Sequence, residues 1–259
     1  ATVYDEAGIP LRFHAASGQS YAGVNLAEKD IWAIAFAGDV FVAGIQNGVS
    51  RISLEGERIP MANGAEKYPI LADGEKLAEG FKFPAGLAVL GGKVHVALPG
   101  PDIVRVMDLK TGAKIGDWRL AGVRDLASDD AGTLWAISGT DVVSLKQDGQ
   151  PDRRFPTGLK APRYLAATAA RLAICDRESA RIAILDTKTG QVAKVLGQDL
   201  PHDKWPLVNG NTFLDPRGVA FLPDGKLLVS EAGRIRAIWP DNAQVAFTAE
   251  SNFMDAAVP

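Results

Sequence analysis

The chain has 259 residues, 47% hydrophobic and 23% charged, an ordinary balance for a globular protein with a sizeable core. A net charge of −3, from 28 basic and 31 acidic residues, supplies no global field for nucleic acid or an anionic membrane. No apolar run reaches the ~18 residues that span a bilayer, and a single cysteine, Cys175, excludes an intramolecular disulfide.

Taken in order, Ala1–His14 reads as the tail of a repeating unit. Val3–Gly8, VYDEAG, aligns with MDLKTG (Met107–Gly112) and LDTKTG (Leu185–Gly190), so it ends a third strand, and Ile9–His14 supplies a fourth. Ala15–Asp30 is a loop of small and polar residues. Ile31–Ala43 gives an inner strand pair, IWAIAF and VFVA, and Ser50–Ile59 the next third and fourth strands. Pro60–Lys82 is a long connection rich in Gly, Glu and Lys. Three units follow: Phe83–Ala97 with Ile103–Trp118, Val123–Ile137 with Val142–Phe155, and Tyr164–Cys175 with Arg181–Leu196. A second long loop, Gly197–Leu214, precedes the last full unit, Arg217–Ser230 with Ile235–Phe247. The tail ends in MDAAVP, which resembles the start of another inner strand. In the copy RLAICDRESARIAILDTKTG (Arg171–Gly190), polar–apolar alternation is weak in the first strand and absent in the second, which predicts burial on both faces.

The alanine near the middle of each first strand sets the period. Ala35, Ala88, Ala127, Ala166 and Ala220, with Ala257 a weaker match, are separated by 53, 39, 39, 54 and 37 residues. The short steps match the ~40-residue blade of a propeller, and the long steps carry the two long loops. The reading is a single all-β domain over residues 1–259, a six-bladed β-propeller whose last blade is shared between the N- and C-termini. Closing the ring buries each sheet against two neighbours. The split blade lacks a clear second strand, so either it is three-stranded or residues between Pro259 and Ala1 are missing. A five-bladed ring with a terminal hairpin is the alternative.

Asp215–Ile238, DPRGVAFLPDGKLLVSEAGRIRAI, together with Phe83–Leu98 and Ala173–Gly190, resembles the NHL-repeat β-propellers: a Pro-x-Gly-Val-Ala start, a Gly turn, a strand ending in Val-Ala-Asp, an Arg-Ile strand and a closing Gly. The resemblance covers nearly the whole chain. It implies that the first-strand starts and the loops between second and third strands share one mouth of the central channel. Gluconolactonase-type and peptidyl-lyase propellers are distant relatives on this reading. The lactonases hold a divalent cation partly through an Asn where this chain has Arg217, and Pro162-Arg163 departs in the same way. The lyases use zinc-binding histidines, and the histidines here do not recur at corresponding positions.

That shared mouth collects Trp32, Ala85, Arg124, Arg163, Arg217 and Met254 at the first-strand starts. Three arginines on consecutive blades suit a carboxylate or phosphate, unless each pairs with a local acid such as Asp125, Asp176, Asp215 or Glu231. Asp176 and Glu231 end second strands. They serve either as acceptors for turn N–H groups or, with His202, as proton-transfer groups beside an arginine-bound substrate. Trp205 sits with His202 in LPHDKWP, as ligand contact or as the loop's apolar anchor. His95, in VHVAL, reads as a packed residue and Cys175 as a buried thiol. Scattered carboxylates and histidines give no metal-ligand spacing, so neither cofactor nor metal is expected. No Gly-x-Ser-x-Gly elbow is present.

Two functional classes follow. The first is a binding or interaction module, possible as one domain of a larger protein, recognising an anionic small molecule, a sugar acid or a protein partner. The second is a hydrolase or lyase acting on a carboxylate-bearing substrate. The incomplete set of catalytic groups favours binding. The absence of an initiating methionine suggests a processed, secreted or periplasmic form.

Overall fold

The computed structural model describes residues 84–197, 212–213, 215–231 and 234–250, together with strand segments 3–4, 10–13, 20–21, 31–36, 40–45 and 48–53. Among these residues every regular element is a strand. The N-terminal sheet contains β1 (Val3–Tyr4), β2 (Pro10–Phe13) and β3 (Ser20–Tyr21). The next contains β4 (Ile31–Phe36), β5 (Val40–Ile45) and β6 (Gly48–Ser53). Four four-stranded meanders follow: β7 (Gly86–Leu90) to β10 (Lys114–Arg119), β11 (Val123–Ser128) to β14 (Pro151–Pro156), β15 (Pro162–Ala167) to β18 (Val192–Leu196), and β19 (Gly218–Phe221) to β22 (Gln244–Glu250). Pairing is antiparallel throughout, and each strand lies beside the next in sequence.

The first strands β4, β7, β11, β15 and β19 contact one another in succession, as blades do around a channel. The core lies in the seams between sheets. Trp135 and Ile137 meet Leu165, Ile174 and Leu185 across one seam, and Cys175, Ile182 and Ile184 meet Leu227, Val229 and Ile238 across the next. Each such aliphatic side chain taken fully from water contributes about 1.5–3 kcal/mol. β12 (Leu134–Ser138) is buried along its whole length, and β16 (Arg171–Asp176) nearly so, because both their faces meet a neighbouring sheet. The outer strands β10 and β14 alternate exposed and half-buried residues. This is the architecture of a β-propeller, as the repeats predict.

One stretch departs from the sequence reading. Ser20–Tyr21, expected in a loop, pairs as β3 with the open edge of β2, Arg12 opposite Tyr21 and Phe13 opposite Ser20. An unpaired strand edge is a ready partner for any extended segment that reaches it. The C-terminal segment expected to complete this sheet, residues 251–259, lies outside the described residues, as does most of each long loop.

The hairpin turns explain the recurring Asp-x-x-Thr-Gly. The Asp186 carboxylate accepts hydrogen bonds from the N–H of Lys188 and Thr189 and from the Thr189 hydroxyl, at 2.9, 2.8 and 3.0 Å. Gly190 then takes φ +71°, a conformation side chains disfavour.

Candidate functional site

A bulge repeats at the start of the inner strands. In β15, Pro162 pairs with Asp176 and Tyr164 with Cys175, so Arg163 is an extra residue. In β4 the extra residue is Trp32. In β11, Arg124 and Asp125 together oppose the single Ile137. In the last sheet, Arg217 N–H donates to Ser230 O at 2.8 Å while Gly218 pairs with the same serine. A bulge bends the strand and re-aims its side chain, so each arginine is turned out of the ladder.

Arg124, Arg163 and Arg217 are all exposed, but their states differ. Arg217 Nε donates to Asp215 Oδ2 at 2.6 Å. Arg177, on the turn after β16, also grips Asp215, through Nε to Oδ1 and through Nη2 to Oδ2 at 3.2 Å. Asp215 is nearly buried. Burial works to raise its carboxyl, but the hydrogen bonds from Arg177 and then Arg217 outweigh this and hold it below the usual carboxylate range. Arg124 and Arg163 make no hydrogen bond or ion pair among the described residues. Both line a cavity of about 190 Å³ at the mouth, with Ala161, Arg177, Glu178 and Asp215.

The acids expected to move protons are otherwise occupied. Asp176 is fully buried, and its carboxylate accepts four backbone N–H groups. Lys160 and Ala161 bond Oδ2 at 2.9 and 3.0 Å, and Glu178 and Ser179 bond Oδ1 at 2.9 and 3.2 Å. It fastens the turn that carries Arg177 and Glu178. Glu231 accepts from Arg236 Nε in a wholly buried pair, and Arg236 also donates to Thr212 O and lies over the Phe213 ring. His202 and Trp205 lie outside the described residues, as does the Trp32 side chain.

The sequence offers Asp125 as a local partner for an arginine. Instead its carboxylate bridges blades, accepting Leu126 N–H at 2.8 Å and Leu165 N–H of the next blade at 2.7 Å. On the other side it presses on Gly86, where a Cβ has no room. Burial pushes its carboxyl up to about 7, against the pull of the Leu126 and Leu165 N–H groups. His95 is packed as expected, 5.3 Å from the Trp118 ring, and burial drives it down to about 4. Cys175 is buried, its thiol raised first by burial and then by Asp176, Glu231 and Asp215, which leaves it inert.

Arg177 and Glu178 are the site residues that the sequence reading missed. The signal was present: the loop between second and third strands opens onto the same mouth, and both residues immediately follow Asp176. No group of three or more potential metal ligands occurs among the described residues, and no helix among them is long and apolar enough to cross a membrane.

No family model matches the chain, and no curated protein matches it. Solved structures do. A nidogen/laminin complex chain aligns over 94% of this chain and 90% of its own, with 17% identity and a TM-score of 0.69. A streptogramin B lyase aligns over 88% and 71%, with 14% identity and a TM-score of 0.59. Virginiamycin B lyase from Staphylococcus aureus aligns over 85% and 70%, with 15% identity and a TM-score of 0.58. At these identities the likeness is one of fold.

Proposed function

We propose that this propeller is a binding module whose channel mouth takes a small carboxylate-bearing anion, such as a sugar acid or an acidic group of a protein partner. One observation carries the reading: Arg124 and Arg163 stand at equivalent bulges on adjacent inner strands and line one cavity, and neither makes an ion pair among the described residues. A guanidinium fork matches a carboxylate, and two forks fix its orientation. The NHL-like repeats supply the frame on this reading, and a secreted or periplasmic setting suits it. A hydrolase or lyase would need a free proton-transfer group beside the bound anion. Asp176 accepts four backbone N–H groups and Glu231 pairs with Arg236. That leaves Glu178 as the one unengaged acid on the cavity wall among the described residues, without the second acid or base that proton transfer in both directions needs, so binding is the better account.

The test is titration with D-glucuronate, followed by amide chemical shifts. Replacing Arg124 and Arg163 together by Ala should weaken binding at least tenfold, about 1.4 kcal/mol, while the far-ultraviolet circular dichroism stays that of the parent. Equal affinity in parent and double variant would refute the site.

A further inference from the structure

Resting on that reading, we infer that the ligand carries a protonated amine as well as its carboxylate, and that Glu178 receives the amine. The cavity wall holds two acids, and they are not equivalent. Both oxygens of Asp215 are taken by Arg177 and Arg217, so it offers a ligand nothing. Glu178 is exposed, and its carboxylate has no hydrogen bond or ion pair among the described residues. Only its backbone N–H is engaged, by Asp176.

The free charges are therefore arranged with a direction. Arg124 and Arg163 stand on the inner strands, at the channel. Glu178 stands on the turn leading out of β16 to β17 (Arg181–Asp186), farther from the axis. Adjacent strands lie ~4.8 Å apart, which puts Glu178 roughly one to two strand spacings outward from Arg163. A dianion spanning the cavity would bring a second negative charge against Glu178. A molecule with a carboxylate at one end and an ammonium at the other satisfies both ends, and a linker of a few carbons bridges them.

Two probes of similar length decide the matter, 5-aminovalerate and glutarate, titrated into the protein and into Glu178→Gln and Arg163→Ala. The parent should bind 5-aminovalerate about tenfold more tightly than glutarate. Glu178→Gln, which keeps the backbone bond to Asp176, should erase or reverse that preference, and Arg163→Ala should weaken both probes. An unchanged preference in Glu178→Gln, with Arg163→Ala still weakening both, would overturn the amine assignment and leave the anion site standing. If Arg163→Ala changes neither probe, the anion site fails and the amine assignment goes with it.

Discussion

The two neighbouring blades β15–β18 and β19–β22 begin almost identically, with Ala161-Pro162-Arg163 in one and Asp215-Pro216-Arg217 in the other. Both arginines occupy the bulge, yet only Arg217 is neutralised. The difference is the residue two positions earlier. Asp215 takes a left-handed backbone, φ +48°, which an aspartate tolerates better than most side chains. Its carboxylate bonds back to Arg217 and across to Arg177 of the preceding blade. Ala161 has no such group, so Arg163 stays available. The availability of a mouth cation is thus set by the residue two positions earlier and by its backbone conformation, rather than by its place in the ring.

The acids ending the second strands contrast in the same way. Asp176 turns to backbone N–H groups, whereas Glu231, one methylene longer, turns to the buried guanidinium of Arg236. The largest effect expected comes from breaking the latter pair. Glu231→Ala or Arg236→Ala should each cost about 3–5 kcal/mol, because one charge is left buried alone. Replacing both by Leu should cost less than either single change. Urea unfolding midpoints of the three variants check this, and a double variant worse than both singles would show that the pair is more than a mutual neutralisation.

Asp176→Ala comes next. It strips acceptors from four backbone N–H groups and should cost about 2–3 kcal/mol, since the N–H groups nearest solvent recover water. It should also loosen the turn bearing Arg177 and Glu178. Faster hydrogen exchange at Glu178 and Ser179 than in Glu231→Ala would separate the two acids' roles.

The arginine contrast is sharpened by exchanging the deciding residue. Ala161→Asp should supply Arg163 with an internal acid and weaken D-glucuronate binding about tenfold, or ~1.4 kcal/mol, with little change in stability. Asp215→Ala should release Arg177 and Arg217 and strengthen binding severalfold at lower stability. Opposite signs in the two titrations are the signature; a shared sign would mean that something other than local pairing governs the mouth.

These contrasts also mark what was legible in the sequence. The blades were readable because the Ala-centred inner strands and closing glycines recur at a fixed spacing, and seam burial follows from that. Arg124, Arg163 and Arg217 were readable as a set because the repeat register aligns them. Whether each was free was not, since pairing depends on backbone conformation at Asp215 and on Arg177 reaching from another blade. Asp125 was underestimated for a related reason: its acceptor role joins Leu165, 40 residues away, and only ring packing brings the two together. β3 was missed because two residues give no periodicity.

A third blade carries the comparison to its smallest expected effect, which is on pH dependence. At the bulge residue following the arginine, β11 has Asp125 where β15 has Tyr164 and β19 has Gly218. Asp125 is raised to about 7 in the fold, so its contribution to stability is complete below its ordinary value and is lost as pH rises through about 7. His95, lowered to about 4 by burial, by Lys93 and against a backbone hydrogen bond with Ala88, works the other way. Its contribution is present above its ordinary value and is lost as pH falls towards 4. Between about pH 4 and 6.5 the two slopes oppose, so the parent should be nearly flat. Asp125→Asn removes one slope and leaves the histidine's, so its urea midpoint should rise by roughly 0.3–0.5 M from pH 4.5 to 6.5. His95→Gln should slope downwards over the same interval. A parent profile that rises in parallel with that of Asp125→Asn would mean that the Leu126 and Leu165 N–H groups hold Asp125 ionised in the fold, and that this carboxylate joins the blades as a fixed charge rather than a titrating one.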